Sequence, residues 1–189
     1  MVFSTHVAAA VLGAELVLIA SGQPLMSREA LEALAGAALV GPLADIDHPQ
    51  SYIGRKLWPV SYALNAVGIR HRTLTHSLLF LVFLFAVLQL LPLPAIVKLA
   101  IWTGYATHPL IDLLNPQGVV LFWPYPARIR LLPEMLSIPV QSFAESVFRL
   151  GVSALIAFLF VRNASTSLPI EQLQGLSVDF ARILRDILP

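Results

Sequence analysis

The 189-residue chain contains no cysteine, which excludes a disulfide framework, a thiol nucleophile and any thiolate-bound metal. A metal site here has to be built from histidine and carboxylate. Charge is scarce as well: Asp, Glu, Lys and Arg make up 12% of residues and nearly cancel to a net +1, against about 25% in an ordinary soluble domain. No basic field or acidic tail is left to recruit nucleic acid, and no nucleic-acid-binding motif occurs. Also missing are a His-Glu-x-x-His motif, a Gly-x-Ser-x-Gly turn and a glycine-rich phosphate loop, which removes zincin proteolysis, serine hydrolysis and P-loop chemistry.

What the chain has instead is apolar mass. Hydrophobic residues account for 57% of it and the mean hydropathy is +0.78, enough for several bilayer spans of about 20 residues each. Val2 to Ala20 reads as an uncleaved first helix, because no basic segment precedes it and Thr5-His6 lies inside it. Ser27 is placed to cap a second helix reaching Gly41-Pro42. Asp45 to Arg72 reads as a polar connection punctuated by Pro49, Gly54, Pro59 and Gly68. Leu74 to Leu91 is expected as the clearest span, Ala95 to Leu114 as its return, and Val147 to Val161 as a shorter one.

These segments predict an all-α, multi-pass transmembrane bundle of four to five helices over residues 1–162, followed by an amphipathic tail over 163–189. Arg55, Lys56, Arg70, Arg72, Arg128 and Arg130 fall in the two long connections, so the positive-inside rule puts those connections and the N-terminus on the cytoplasmic side. Arg55 and Lys56 are read as topology determinants only. Trp58, Trp102 and Trp123 are expected as interfacial anchors, and Glu15, inside the first helix, is left without a role.

Five histidines in so apolar a chain need a reason, since ionisable groups near a bilayer interior are expensive. His6, His76 and His108 each follow a threonine, in a chain with only six threonines; such hydroxyls can fix a ligand's tautomer. Asp45-x-Asp47-His48 packs three ligand types into one short loop, and His108 and Asp112 share a helical face at i and i+4. With His71 and His76, the topology brings these groups to one membrane face. His6, Asp45, Asp47, His48, His76, His108 and Asp112 are therefore candidate ligands for one or two divalent ions, with zinc preferred and manganese or iron acceptable to the same donors. Asp47, His71 and Arg72 are the candidate catalytic residues, and Arg70 and Arg72 are the candidate phosphate-binding pair.

Thr5-His6, Asp45-x-Asp47-His48-Pro49, His71-Arg72-x-x-Thr75-His76-Ser77, Gly104-Tyr105-x-x-His108-x-x-x-Asp112, Asn115-Pro116-x-Gly118 and Trp123-Pro124 together resemble the YdjM-like membrane-bound metal-dependent hydrolases. The likeness covers roughly residues 2–130. It implies an integral inner-membrane protein, in some bacteria under LexA control, with a hydrolase activity. Carried onto matching positions, it points to His6, Asp47, His48, His71, His76, His108 and Asp112. The family in turn distantly resembles zinc-dependent phospholipase C, which implies a phosphoester or phospholipid substrate drawn from the bilayer. The alternative is a metal-binding transporter or sensor that uses the same ligands without turnover.

Overall fold

A computed structural model describes residues 1–167, and seven α-helices account for most of them. No strand occurs among the described residues; the β geometry there is one isolated bridge between Val119 and Ile129. Helix α1 (Phe3–Ala20) is built from Ala, Val and Leu without an internal breaker. Helix α2 (Arg28–Val40) starts where expected, with the Ser27 hydroxyl accepting the Ala30 N–H, and continues as a 3₁₀ segment over Gly41–Asp47 with Pro42 in its first turn.

The Asp45–Arg72 connection is not the irregular loop that its punctuation suggests. It contains two short helices, α3 (Tyr52–Lys56), capped by Ser51, and α4 (Trp58–Ala66), with Pro59 in its first turn. Proline there has no intrahelical N–H to lose and its φ suits a helix start, so it opened a helix rather than a turn.

Leu74 to Leu91 also departs from expectation. Leu74–His76 forms a 3₁₀ turn, and Ser77 is extended and caps α5, which runs only over Leu78–Gln89. The Ser77 hydroxyl accepts the Phe80 N–H at 3.1 Å and donates to the Leu74 carbonyl at 2.6 Å. A serine thus broke the helix at the residue where hydropathy alone would have continued it. The expected clearest span is the shortest of the major helices, about 18 Å long. Helix α6 (Ala95–Asp112) returns as expected. Helix α7 (Phe143–Ser167) runs through the expected Val147–Val161 segment and past Arg162 without a break; from residue 168 onward, the expected amphipathic tail lies outside the described residues.

By length and composition, Phe3–Ala20 and Phe143–Asn163 can cross a bilayer, while Leu78–Gln89 is apolar but shorter. Leu39, Val67, Val82, Leu90, Phe143 and Leu150 are strongly exposed, a surface that water tolerates poorly and lipid accepts.

The core lies where α1, α2 and α6 cross, around Ala14, Leu18, Ala30, Ala33, Ala37, Val97 and Ala100. These helices approach closely because the contact residues are small. A Cβ on Gly104 would fall 2.6 Å from the Ala37 side chain and 3.1 Å from the Ala10 carbonyl. Trp102 belongs to this packing rather than to an interfacial belt, since it is partly buried and its indole N–H donates to the Leu81 carbonyl at 2.8 Å. Helix α5 lies on α6 and α7 on α1. Turns at 21–27 and 90–94 reverse α1 into α2 and α5 into α6. The segments 41–77 and 113–142 therefore meet the start of α1 at the opposite end.

Candidate metal centre

That end carries the chemistry. His6 is in the first turns of α1, Asp45 and Asp47 lie in the 3₁₀ extension of α2, and His71 and His76 flank the turn before α5. His108 and Asp112 occupy the last turn of α6. Two groups gather ligand atoms within 4.8 Å of one another: His6, His108 and Asp112, all buried, and Asp45, His71 and His76.

The groups adjoin. His76 Nε2 is 3.7 Å from Asp45 Oδ1 and 3.7 Å from Asp112 Oδ2, and His108 Nε2 is 3.4 Å from Asp45 Oδ1. His6 Nε2 is 3.6 Å from Asp112 Oδ1, and the amino group of Met1 is 2.8 Å from the same oxygen. These imidazole–carboxylate separations are too long for hydrogen bonds. They match the edge of a tetrahedron whose centre lies about 2.0–2.2 Å from each ligand, which is about 3.3–3.6 Å.

His6 Nε2, His76 Nε2 and His108 Nε2 are buried without a hydrogen-bond partner, while Asp112 Oδ2 is ion-paired with Arg72 Nε at 2.9 Å. Three unpaired imidazole nitrogens close to one another are costly in a protein interior, and divalent cations held with the neighbouring carboxylates would satisfy them. The tautomers agree. His108 donates its Nδ1–H to the Gly41 carbonyl at 2.9 Å, and His76 Nδ1 pairs with the Thr75 hydroxyl at 3.0 Å. Both rings therefore present Nε2 to the centre, as metal-binding histidines commonly do.

Asp47 stands behind this layer, outside both groups. Its Oδ1 accepts His71 Nδ1–H at 2.8 Å, and its Oδ2 accepts the Arg72 N–H at 3.0 Å and the Thr75 hydroxyl at 2.6 Å. Burial alone would raise its pKa, but the hydrogen bond from His71 and the nearby His76 ring hold it below the usual carboxylate range. For His76, burial opposes the charged ring, yet the adjacent carboxylates of Asp45 and Asp47 outweigh it and push the pKa up to about 9. His71 moves the other way, because burial outweighs its pairing with Asp47.

The structure separates several residues that the sequence had grouped together. His48 is in neither group; its Nδ1 accepts the Gln50 N–H at 3.1 Å and its ring lies edge-on to His71. Arg70 is exposed and also apart. Arg72 is largely committed within the protein: its Nε lies 2.9 Å from Asp112 and its Nη1 donates to Asn115 at 2.7 Å and Gln117 at 3.3 Å. Its φ of 63° is a left-handed conformation that costs a non-glycine residue about 1 kcal/mol or more and is typical of functional sites. Of the three threonines that precede histidines, only Thr75 reaches a ligand. Thr107 donates to the Gly104 carbonyl at 2.7 Å, and the Thr5 hydroxyl has no partner.

Sequence reasoning missed Asn115, Tyr105 and Glu145. Tyr105 donates to the Thr75 carbonyl at 2.7 Å. Glu145, 1% exposed, accepts the Val2 N–H at 2.6 Å and the Gln141 N–H at 2.7 Å, so α7 is latched to the start of α1. Asn115 and Tyr105 were legible as parts of the Asn115-Pro116 and Gly104-Tyr105 motifs but were given no role; Glu145 gave no local signal.

The chain is 41% identical to the inner membrane protein YdjM of Escherichia coli (strain K12) over 100 residues, and equally to that of Shigella flexneri. The match spans 50% of this chain and about half the length of those relatives, 50%. It is 32% identical to the uncharacterized protein YvsG of Bacillus subtilis (strain 168) over 128 residues, 67% of this chain and 78% of that protein. No solved structure matches. The family described as YdjM inner membrane protein matches residues 1–168, and the chain belongs to that family.

Proposed function

We propose that this protein is a multi-pass inner-membrane metal-dependent hydrolase that cleaves a membrane-associated phosphoester at the cytoplasmic face. The observation that carries the reading is the set of buried, unpartnered imidazole nitrogens, spaced from the Asp45 and Asp112 carboxylates as metal ligands are from one another. His6, His108 and Asp112 hold the first ion, and Asp45, His71 and His76 hold a second where one is taken up. A divalent ion, with zinc preferred, supplies Lewis-acid polarisation of a phosphoryl oxygen and makes water acidic near neutral pH.

The residues around the ligands supply the rest. Asp47 orients His71 through the 2.8 Å bond to Nδ1, the arrangement that readies an imidazole for proton transfer. Burial lowers the His71 pKa below the ordinary imidazole value, so with only the first ion bound its ring would be free to take a proton from water. Arg72 neutralises Asp112 and fixes its orientation rather than binding substrate.

Metal content per chain, measured with hydrolysis of phosphoester and phospholipid panels, tests the proposal. One equivalent leaves His71 as the base; two make it a ligand. Asp45→Asn and Asp112→Asn should each lose metal and turnover while keeping the helical fold. Turnover that persists in both variants, or a wild type without ligand-dependent metal, would overturn the assignment.

The transporter reading draws on one observation. Glu15 lies buried within α1 with both carboxylate oxygens unpartnered, about 13 Å along the helix from His6. Metal flux into proteoliposomes that Glu15→Gln abolishes, without hydrolysis in the wild type, would favour transport.

A further inference from the structure

A cavity of about 460 Å³ opens above the ligand groups, with Asp45, His71 and Arg72 at its floor and Phe3, Tyr52 and Arg55 on its wall. Phosphate recognition at this mouth needs a cation with free donors. Arg72 is poorly placed for this: its side chain is 3% exposed, its Nε pairs with Asp112 and its Nη1 donates to Asn115 and Gln117. Arg70 does not line the cavity. Resting on the hydrolase reading, we propose that Arg55 is the residue that binds the phosphate oxygens of the substrate.

The local fold aims Arg55 at this task. Its Nη1 donates to the Gln50 carbonyl at 2.9 Å, which steadies the guanidinium while the side chain remains exposed. Helix α3, which carries it, is stapled to the ligand loop. The Ser51 hydroxyl donates to the Asp45 carbonyl at 2.8 Å and accepts the Gly54 N–H at 2.8 Å. A Cβ on Gly54 would collide with the His48 carbonyl oxygen, so only glycine lets α3 lie this close to Asp45. The position of Arg55 relative to the ligands is thus set by a short, rigid path. An arginine fork can take two oxygens of one phosphate at once, which a lysine cannot.

Arg55 also lines a second cavity, of about 440 Å³, beside Pro49, Trp58 and Tyr62. Both aromatic rings are 61% exposed. The arginine therefore stands between the metal-site mouth and an exposed aromatic surface. The shared ligand chemistry is a phosphate oxyanion, carried either by a lipid headgroup or by a soluble ester.

Inorganic phosphate titrated into the metal-loaded, detergent-solubilised protein by calorimetry tests the proposal. Arg55→Ala should weaken phosphate binding about 10- to 100-fold with metal content unchanged. Arg55→Lys should fall between it and the wild type, and Arg28→Ala, at the other end of the bundle, should bind as the wild type does. Equal phosphate affinity in Arg55→Ala and wild type, both metal-loaded, would overturn the role of Arg55 and leave the metal site standing. Absence of metal from the wild type would instead overturn the hydrolase reading and this inference with it. Nanodiscs containing phosphatidic acid, compared with phosphatidylcholine alone, separate the two sources. Competition with inorganic phosphate that Arg55→Ala relieves supports a lipid headgroup at Arg55, and its absence alongside an intact Arg55 effect supports a soluble ester.

Discussion

His6 and His108 lie face to face, ring centroids 3.4 Å apart and planes 3° from parallel, although one belongs to the start of α1 and the other to the end of α6. The stack places Nε2 of each ring beside a carboxylate, Asp112 for His6 and Asp45 for His108. Replacing either ring removes a ligand and exposes the other to an unfilled space. His108→Ala should lose at least one equivalent of metal, and metal should no longer raise the melting temperature of that variant. Undiminished metal content by elemental measurement would reject the ligand assignment.

Asp47→Asn separates support from ligation. Its carboxylate holds His71, Arg72 and Thr75 in place and touches no ion position directly. Loss of such a supporting group weakens metal about 10- to 100-fold, so this variant should refill at high metal concentration. Asp45→Asn should not. A competition titration with a chromogenic chelator distinguishes the two.

Proton and metal compete at His76. With its pKa near 9 in the metal-free site, the ring must lose a proton to bind an ion. Apparent metal affinity should rise about tenfold per pH unit between pH 6.5 and 9, and His76→Gln should flatten that slope by one proton. The metal-free protein should respond in the opposite sense. A histidine whose folded pKa exceeds its unfolded value of about 6.5 stabilises the fold fully below that pH. Its contribution is lost as pH rises through about 9, so the melting temperature should fall across this window.

Glu145→Ala should leave the Val2 and Gln141 N–H groups unpaired at the α1–α7 junction. Two hydrogen bonds to a buried carboxylate are worth about 3 kcal/mol together. A lowered melting temperature and faster proteolysis near residue 141 are the expected outcome; unchanged stability would show that the latch is dispensable.

Gly104→Ala probes the helix crossing. The added methyl meets Ala37 and the Ala10 carbonyl, and overpacking of this kind costs about 1–3 kcal/mol. Thermal unfolding should register the loss, while the folded fraction retains its metal.

Reading the sequence located α1, α2 and α6 closely, because unbroken apolar runs and the Ser27 cap are local signals. It overextended α5 because hydropathy does not reveal that Ser77 caps a helix rather than joining one. Helices α3 and α4 went unseen because Gly54 and Pro59 read as punctuation. The histidines and aspartates were visible as an excess of ionisable groups in an apolar chain, and six of the expected positions make up the two ligand groups: His6, Asp45, His71, His76, His108 and Asp112.

Taken alone, the sequence determined that any metal would be held by imidazole and carboxylate, since no thiolate exists, and that polar connections alternate with apolar helices, which sends their ends to one side. It could not divide the roles among neighbours. Asp45 and Asp47 are two residues apart in the same turn, yet one faces the centre and the other holds His71 and Arg72. Arg55 and Arg72 exchange roles for the same reason. Whether a charge is consumed by Asp112 or left at a cavity mouth depends on which distant segments surround it, and only the packing of α1, α2 and α6 decides that.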